Sequence, residues 1–447
     1  MNMKKPSLGK RVFSNTFFLL ADQVILKAST IVSFIILVRL LSHVDIAAVG
    51  ICSGYLVLLT YLDISPIRVL LRDYARVSSD RVKRDELLTA LFSFWFVQTA
   101  GIIILCLVIN YFVLVKTGIS GITFLFIAIT IDYLALTFKG WIKMVFYADF
   151  KQLAATSFSF FVMFIRLGSF CLLFLLPTLL AYSWILIFLA IGECLMWGIL
   201  FLQKIHFKPI IRFETINILK NSLTDYGLWD HGNKVVVNTL FTIDTAILSW
   251  FSGMREISYY AIALRFTSLF FNFSAFFSNG LQIALSNITE KEKIDEVINT
   301  FIKINFLVSF AQLIFMLLLG NWCLHFLFGA DLDKEVTLYA TIITVGITIM
   351  NLGFPLISVI NTFCVLKRAF ISVFLPGLII GMSIYVGCAY YWGAIGMAWG
   401  NVVVYSMLLI GIIIFIRKYY PFHFNGKIIS PREKLLLREL FSLNETK

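Results

Sequence analysis

Long apolar runs separated by short polar breaks make up most of the chain. A helix needs roughly 20 mainly apolar residues to cross a bilayer. Runs of that kind cover residues 14–41, 46–64, 88–114, 121–142, 154–176, 179–203, 228–251, 259–286, 297–319, 337–362, 369–391 and 395–416. The pattern predicts an all-α polytopic membrane protein of about twelve transmembrane helices, the first, second, seventh and eighth being the least apolar. Two runs carry helix breakers, Gly353-Phe354-Pro355 in the tenth and Pro376-Gly377 in the eleventh. Proline withholds an amide from the helical ladder, so each marks a break that is either a hinge or a tolerated kink.

Composition agrees with the pattern. Of 447 residues 60% are hydrophobic and only 14% charged, against about a quarter charged in soluble domains. So much apolar surface cannot be hidden in a water-soluble core of this length. The seven cysteines are scattered singly, with no CxxC and no Cys/His cluster, and read as small packing residues. The first apolar run follows Lys4, Lys5, Lys10 and Arg11 and is too long for a cleaved signal, so it reads as the first span.

The net charge of +12 changes the picture only through its distribution. With the N-terminus placed in the cytoplasm, twenty-eight of the 37 basic residues fall in inside segments, among them Arg68, Arg72 and Arg76 after span two and Lys139, Lys143 and Lys151 after span four. Outside loops hold three, Lys116, Arg255 and Lys334. A bias of this size orients a membrane protein, so both termini are expected in the cytoplasm. The basic balance is then a product of topology, and no nucleic-acid partner is expected. Outside loops are short, the longest around 321–336, and the amphipathic stretch 432–442 is expected to lie on the inner leaflet.

The longest inside loop splits the runs into two sets of six. Residues 1–203 form a first bundle, 204–227 a connecting loop, 228–416 a second bundle and 417–447 a basic tail. The halves echo each other: Asp22 and Lys27 open span one as Asp230 and Lys234 open span seven. Each first helix then ends at a serine with an acid nearby, Ser42-His43-Val44-Asp45 and Ser252-Gly253-Met254-Arg255-Glu256. Six spans per half make the repeat parallel, and transporters commonly bind substrate between such repeats.

Six bases (Lys27, Arg39, Arg166, Lys234, Arg265, Lys303) and five acids (Asp22, Asp132, Glu193, Asp230, Asp244) fall within the spans. A charge at mid-bilayer is costly and faces a wet cavity or a partner. Asp230 and Lys234 stand i, i+4 and are spaced either to neutralise each other or to serve a site. Arg166 and Glu193 lie at similar depth, as do Asp244 and Arg265, so each couple is either a structural ion pair or part of a site. Arg39 and Lys303 are near span ends and can snorkel. Lys27, near mid-span and on a different face from Asp22, is the leading candidate for an anion-binding group. No Walker A, HExxH or GxSxG motif occurs, so no enzyme, metal or resident cofactor is expected.

Three stretches resemble one family. Leu37-Val38-Arg39-Leu40-Leu41-Ser42 followed by Ala47 to Gly50 is one. Ile243-Asp244-Thr245-Ala246-Ile247-Leu248 followed by Ile257 to Arg265 is the second, and Gly393-Ala394-Ile395-Gly396-Met397-Ala398-Trp399-Gly400 the third. Together they resemble the polysaccharide-transporter (Wzx-type flippase) branch of the multidrug/oligosaccharidyl-lipid/polysaccharide (MOP) exporter superfamily. The resemblance implies two six-helix bundles in a V and alternating access. It implies a lipid-linked substrate, an undecaprenyl-pyrophosphate oligosaccharide for O-antigen, lipopolysaccharide or a related polysaccharide, and as partners membrane lipids, a polysaccharide polymerase and a chain-length regulator. Lys27, Arg166, Lys234 and Arg265 would bind the pyrophosphate or acidic sugars, with Asp22, Asp230 and Asp244 balancing them or carrying a coupling H+ or Na+. Two rivals stay open, a cation-coupled multidrug antiporter of the same superfamily and a membrane polysaccharide polymerase or ligase.

Overall fold

A computed structural model describes residues 25, 29–64, 74, 80–149, 151–210, 227–287, 291–329 and 332–421. Helices account for almost all of them, and no strand occurs among them. The chain forms two compact units, Met1–Val235 and Val236–Lys447.

The first unit contains α1 (Ser29–Leu40), α2 (His43–Leu59), α3 (Arg81–Phe112), α4 (Ile122–Ala148), α5 (Gln152–Phe170) and α6 (Leu179–Ile205). Local chemistry sets their starts. Ser42 caps α2 by accepting the amide of Asp45, whose carboxylate accepts the amide of Ser42 in return. This reciprocal box satisfies two orphan donors at a helix start, and it is the serine-and-acid junction visible in the sequence. Asp80 caps α3 through the amides of Val82 and Lys83, and Thr178 caps α6 through that of Ala181. Helix α4 packs along α6, around a core in which Trp141, Ile142, Val145 and Phe146 meet Trp197 and Phe201, with Leu88 and Leu91 of α3 closing it.

Helix α7 (Leu228–Thr242) crosses the boundary between the units. The second unit continues with α8 (Asp244–Leu248), α9 (Met254–Asn287), α10 (Lys291–Phe328), α11 (Lys334–Asn351), α12 (Gly353–Phe363), α13 (Leu366–Ala369) and α14 (Leu375–Tyr419). Helices α9, α11 and α14 form its centre. Both predicted breakers disturb the helical ladder without ending the helix: at the first, Leu352 keeps helical φ and ψ between α11 and α12, and at the second a π-helical turn, Phe370–Phe374, precedes Pro376.

Gly393 divides α14 into two spans. Its φ of 57° and ψ of −139° lie outside the helical region and suit only a residue without a Cβ. A Cβ there would also stand 3.1 Å from the Glu256 carboxylate. Three residues on, a Cβ at Gly396 would overlap the carbonyl of Cys388. The motif Gly393-Ala394-Ile395-Gly396 is thus a backbone requirement, folding the eleventh span back tightly onto the twelfth.

Eight helices among the described residues are long and apolar enough to cross a membrane, one of them the double segment divided at Gly393. The predicted spans one, seven and eight, which fall outside that set, are among the least apolar; span eight is helical over its described residues, span one over 29–40, and span seven is helical with a break at Ile243. Ile104, Leu107 and Tyr111 on α3 and Leu317 and Leu318 on α10 stand exposed, as apolar side chains of a multi-pass membrane protein do where lipid is the solvent.

Two expectations need correction. Lys139 and Lys143, counted with the loop after span four, lie inside α4, with 6% and 7% of their surfaces exposed. The apolar run ends near 142, but the helix continues to Ala148, with Lys139 bonded to Glu193 of α6 and Lys143 set over the Trp197 ring. The outside loop drawn at 321–336 is mostly helix, since α10 runs on to Phe328. The amphipathic stretch 432–442 lies outside the described residues.

Candidate functional site

The buried polar groups gather into separate clusters within each unit. In the first unit, α4 contributes Asp132, Lys139 and Lys143, which the helical repeat places along one face. Helix α5 contributes Arg166 and α6 contributes Glu193. The Arg166 guanidinium holds Asp132 at 2.6 Å with one nitrogen and Glu193 at 3.1 Å with another. The second oxygen of Glu193 accepts from Lys139 at 2.7 Å. Glu193 is 1% exposed, so two cations and both carboxylate oxygens are committed in a dry setting. Such a network is stable because every charge has a partner, and removing one member strands the others. One turn beyond Lys139, the ammonium of Lys143 sits over the Trp197 ring, 5.3 Å from its centroid.

A cavity opens beside this network. Its lining includes Lys139, Lys143 and Arg166, the hydroxyl residues Ser29 and Ser159, and Glu193 as its acid. With Asp132 held by Arg166, three cations meet two carboxylates here, so the network and the cavity lining carry one net positive charge.

In the second unit, Asp244 is fully buried, and one of its oxygens is held by neutral donors. It stands where the seventh span breaks, between α7 and α8. In an unbroken helix the Leu240 carbonyl would take the Asp244 amide. Here Tyr385 donates to that carbonyl at 2.7 Å. The Asp244 carboxylate accepts from the Tyr260 hydroxyl at 2.5 Å and from the Asn401 amide at 2.8 Å. The same Tyr385 hydroxyl lies 2.6 Å from the Asn401 side-chain oxygen, so its one proton serves the Leu240 carbonyl and Asn401 between them. The second oxygen of Asp244 has no donor.

The structure thus sorts the residues expected at the site. Arg166 is tied to Asp132 and Glu193 rather than standing alone. Lys234 pairs with Asp230 at 2.7 Å, its side chain half exposed. Arg265 is half-buried on α9 and is not the partner of Asp244; Tyr260 is, because five residues along a helix reach a different face. Asp22 and Lys27 lie outside the described residues. Sequence reasoning missed Lys139, Lys143, Tyr260, Tyr385 and Asn401. The heptad step from Asp132 to Lys139 and the amide directly after Gly400 were the available signals.

No protein-family model and no curated protein matches the chain. Solved structures do. The chain is similar to a lipid II flippase, MurJ, in an inward closed conformation, at a TM-score of 0.69 and 14% identity, covering 96% of this chain and 93% of that one. It is also similar to an inward-facing multidrug resistance MATE family transporter of the MOP superfamily, at 0.64 and 15% identity, covering 96% of each chain. A third likeness is to the eukaryotic MATE transporter AtDTX14, at 0.66 and 10% identity, covering 97% of this chain and 99% of that one. The chain therefore shares the fold of these three structures over nearly its whole length.

Proposed function

We propose that the protein is a flippase of the bacterial inner membrane, with both termini in the cytoplasm. It carries an undecaprenyl-pyrophosphate-linked oligosaccharide, an O-antigen or related polysaccharide unit, to the periplasmic leaflet by ion-coupled alternating access. The observation that carries this reading is the lining of the first unit's cavity, where Lys139, Lys143 and Arg166 outnumber the two acids of their network, Glu193 and Asp132. A diphosphate joined to sugars cannot enter hydrocarbon without such groups, and charge-assisted bonds to phosphate are the strong ones available. Similarity to a structure whose name is lipid II flippase supports a lipid-linked cargo.

A second reading, a cation-coupled multidrug antiporter, is favoured by Asp244, a buried carboxylate held by neutral donors alone. Liposomes separate the two. Purified protein is reconstituted with the lipid-linked oligosaccharide, and its sugar is exposed to an impermeant oxidant. The flippase raises the oxidisable fraction above that of protein-free vesicles, and Lys143→Ala slows this roughly tenfold, the loss of one charge-assisted bond. Translocation of a cationic dye with no change in sugar exposure would overturn the flippase reading.

A further inference from the structure

Two pairs of cations meet at one end of the second unit. Lys367 and Arg368 stand in α13, the short helix between spans ten and eleven, and Arg417 and Lys418 stand in the last turn of α14. All four are exposed. Roughly fifty residues of chain separate the pairs, yet they share one aromatic ring. The Arg368 guanidinium lies 6.0 Å and the Lys418 ammonium 5.4 Å from the centroid of Tyr419. That ring is itself held: Tyr419 packs against Phe415 at 4.6 Å, and Tyr420 stacks on Phe363 of α12 at 4.8 Å. Ring contacts and cation–π attraction therefore fix the two pairs beside each other.

A helix end explains only half of this arrangement. Cations in a last turn complement the free carbonyls there, which accounts for Arg417 and Lys418 but not for a second pair brought to the same ring. Among the described residues, Arg368, Arg417 and Lys418 have no carboxylate partner. Asp295 of α10 acts on this corner through Tyr420, so four cations against one acid leave it positive. Exposed apolar side chains begin one turn away: Ile371, 51% exposed, follows Arg368 by three residues, and Ile414, 63% exposed, precedes Arg417 by three. Such side chains on a spanning helix meet acyl chains, so the cations stand where hydrocarbon gives way to headgroups. A ligand for this corner carries negative charge at that depth and an apolar remainder below it. The tail that leaves from here adds Lys427, Arg432, Lys434 and Arg438 among leucines, a composition suited to the same surface.

From this geometry we propose that Lys367, Arg368, Arg417 and Lys418 bind the headgroup of an anionic phospholipid, with Tyr419 holding the two pairs together and Ile371 and Ile414 against the acyl chains. Charge-assisted bonds to phosphate are the strong ones available to such side chains, and basic groups gathered between spanning helices are suited to acidic headgroups. A zwitterionic lipid brings a cation of its own, which this corner repels. The bound lipid braces the connection between spans ten and eleven against the end of span twelve. The inference needs no particular cargo and holds for either transport reading.

The test is thermal unfolding of the purified full chain in an uncharged detergent, with phosphatidylglycerol or phosphatidylcholine added to the micelles at matched mole fractions. Wild type shows a saturable rise in Tm with phosphatidylglycerol that phosphatidylcholine does not reproduce, as expected for a ligand that binds only the folded state. Arg417→Gln/Lys418→Gln raises the half-saturating mole fraction roughly tenfold, and Lys367→Gln/Arg368→Gln does the same from the other side. The charge-keeping exchange Arg417→Lys/Lys418→Arg retains the response. Lys83→Gln/Lys204→Gln, which removes two exposed cations of the first unit, leaves it unchanged. Equal stabilisation of wild type by the two lipids would overturn the site. An equal loss in the Lys83 and Lys204 variant would overturn it too, by showing attraction to net charge alone. A rise that survives both site variants would move the lipid elsewhere on the chain, and a rise with inorganic phosphate alone would make the ligand a soluble anion; either outcome sinks the proposal. No translocation is measured, so a failed flippase reading leaves this result standing, and the reverse holds too.

Discussion

Glu193 in the first unit and Asp244 in the second are acids of nearly identical burial, yet they are satisfied in opposite ways. Glu193 is gripped by Lys139 and Arg166, and Arg166 is gripped again by Asp132. Asp244 receives only a phenol and an amide. The difference separates a fixed charge from an exchangeable one. If Glu193 took up a proton, Lys139 would lose its counter-ion and Arg166 one of its two, so the network resists any change in its charge. If Asp244 took up a proton or a small cation, no partner would be stranded, because hydroxyl and amide groups can turn to donate or accept. The first cluster is suited to holding three helices at set distances beside an anion-accepting cavity. The second is suited to a group whose charge changes during a transport cycle.

The largest expected effect tests the fixed half of the comparison. Glu193→Gln leaves Lys139 and Arg166 buried with a single carboxylate between them. Breaking a buried pair from one side costs about 3–5 kcal/mol, so thermal unfolding in detergent moves far below wild type. Restoring neutrality with Lys139→Met in the same chain recovers a large part of the loss, since apolar replacement of a buried ion is often tolerated. A Glu193→Gln protein that unfolds at the wild-type temperature would show that the network carries no structural weight.

Asp244→Asn is the matching change in the other unit, and its stability effect is smaller. The asparagine oxygen can still accept from Tyr260 and Asn401, while its amide points where Asp244 has an unpartnered oxygen. The loss is about 1 kcal/mol, the scale of one net hydrogen bond. The functional effect runs the other way: transport becomes insensitive to an imposed proton or sodium gradient. Translocation measured with and without the gradient checks this. A variant that still responds to the gradient would move the coupling group elsewhere and dissolve the contrast with Glu193.

The contrast between the two acids was only half legible in the amino-acid order. Asp132, Arg166, Glu193 and Asp244 announce themselves because charge is rare in apolar runs and hydropathy registers it. Lys139 and Lys143 do not, since a lysine in the last turns of a spanning helix and one in the following loop look alike until the partner on α6 is known. Tyr260, Tyr385 and Asn401 escape for a different reason. Neutral polar side chains barely disturb an apolar run, and their meeting depends on how four separate segments pack. The spans themselves were legible because bilayer thickness imposes one length on all of them. The divide at Gly393 was legible as a motif, though not as a backbone conformation. Pro355 was legible as a disturbance of the helical ladder, though not the helical φ and ψ that Leu352 keeps beside it.

Lys234 gives the smallest effect on stability and the sharpest test of where cargo is held. It pairs with Asp230 four residues earlier on α7, and its side chain is 53% exposed. Exposed i, i+4 pairs contribute about 0.3–0.5 kcal/mol, so Lys234→Ala leaves thermal unfolding nearly unchanged. Two behaviours are then distinguishable in the sugar-exposure assay. A lysine that only neutralises Asp230 leaves the rate of lipid-linked oligosaccharide movement as it was. A lysine that also meets the diphosphate lowers that rate roughly tenfold, as expected for one charge-assisted bond, and Lys234→Arg retains most of it. Because the pair is weak, a large transport defect in Lys234→Ala has no structural explanation, and it would extend anion recognition beyond the cavity of α4 and α5 onto α7.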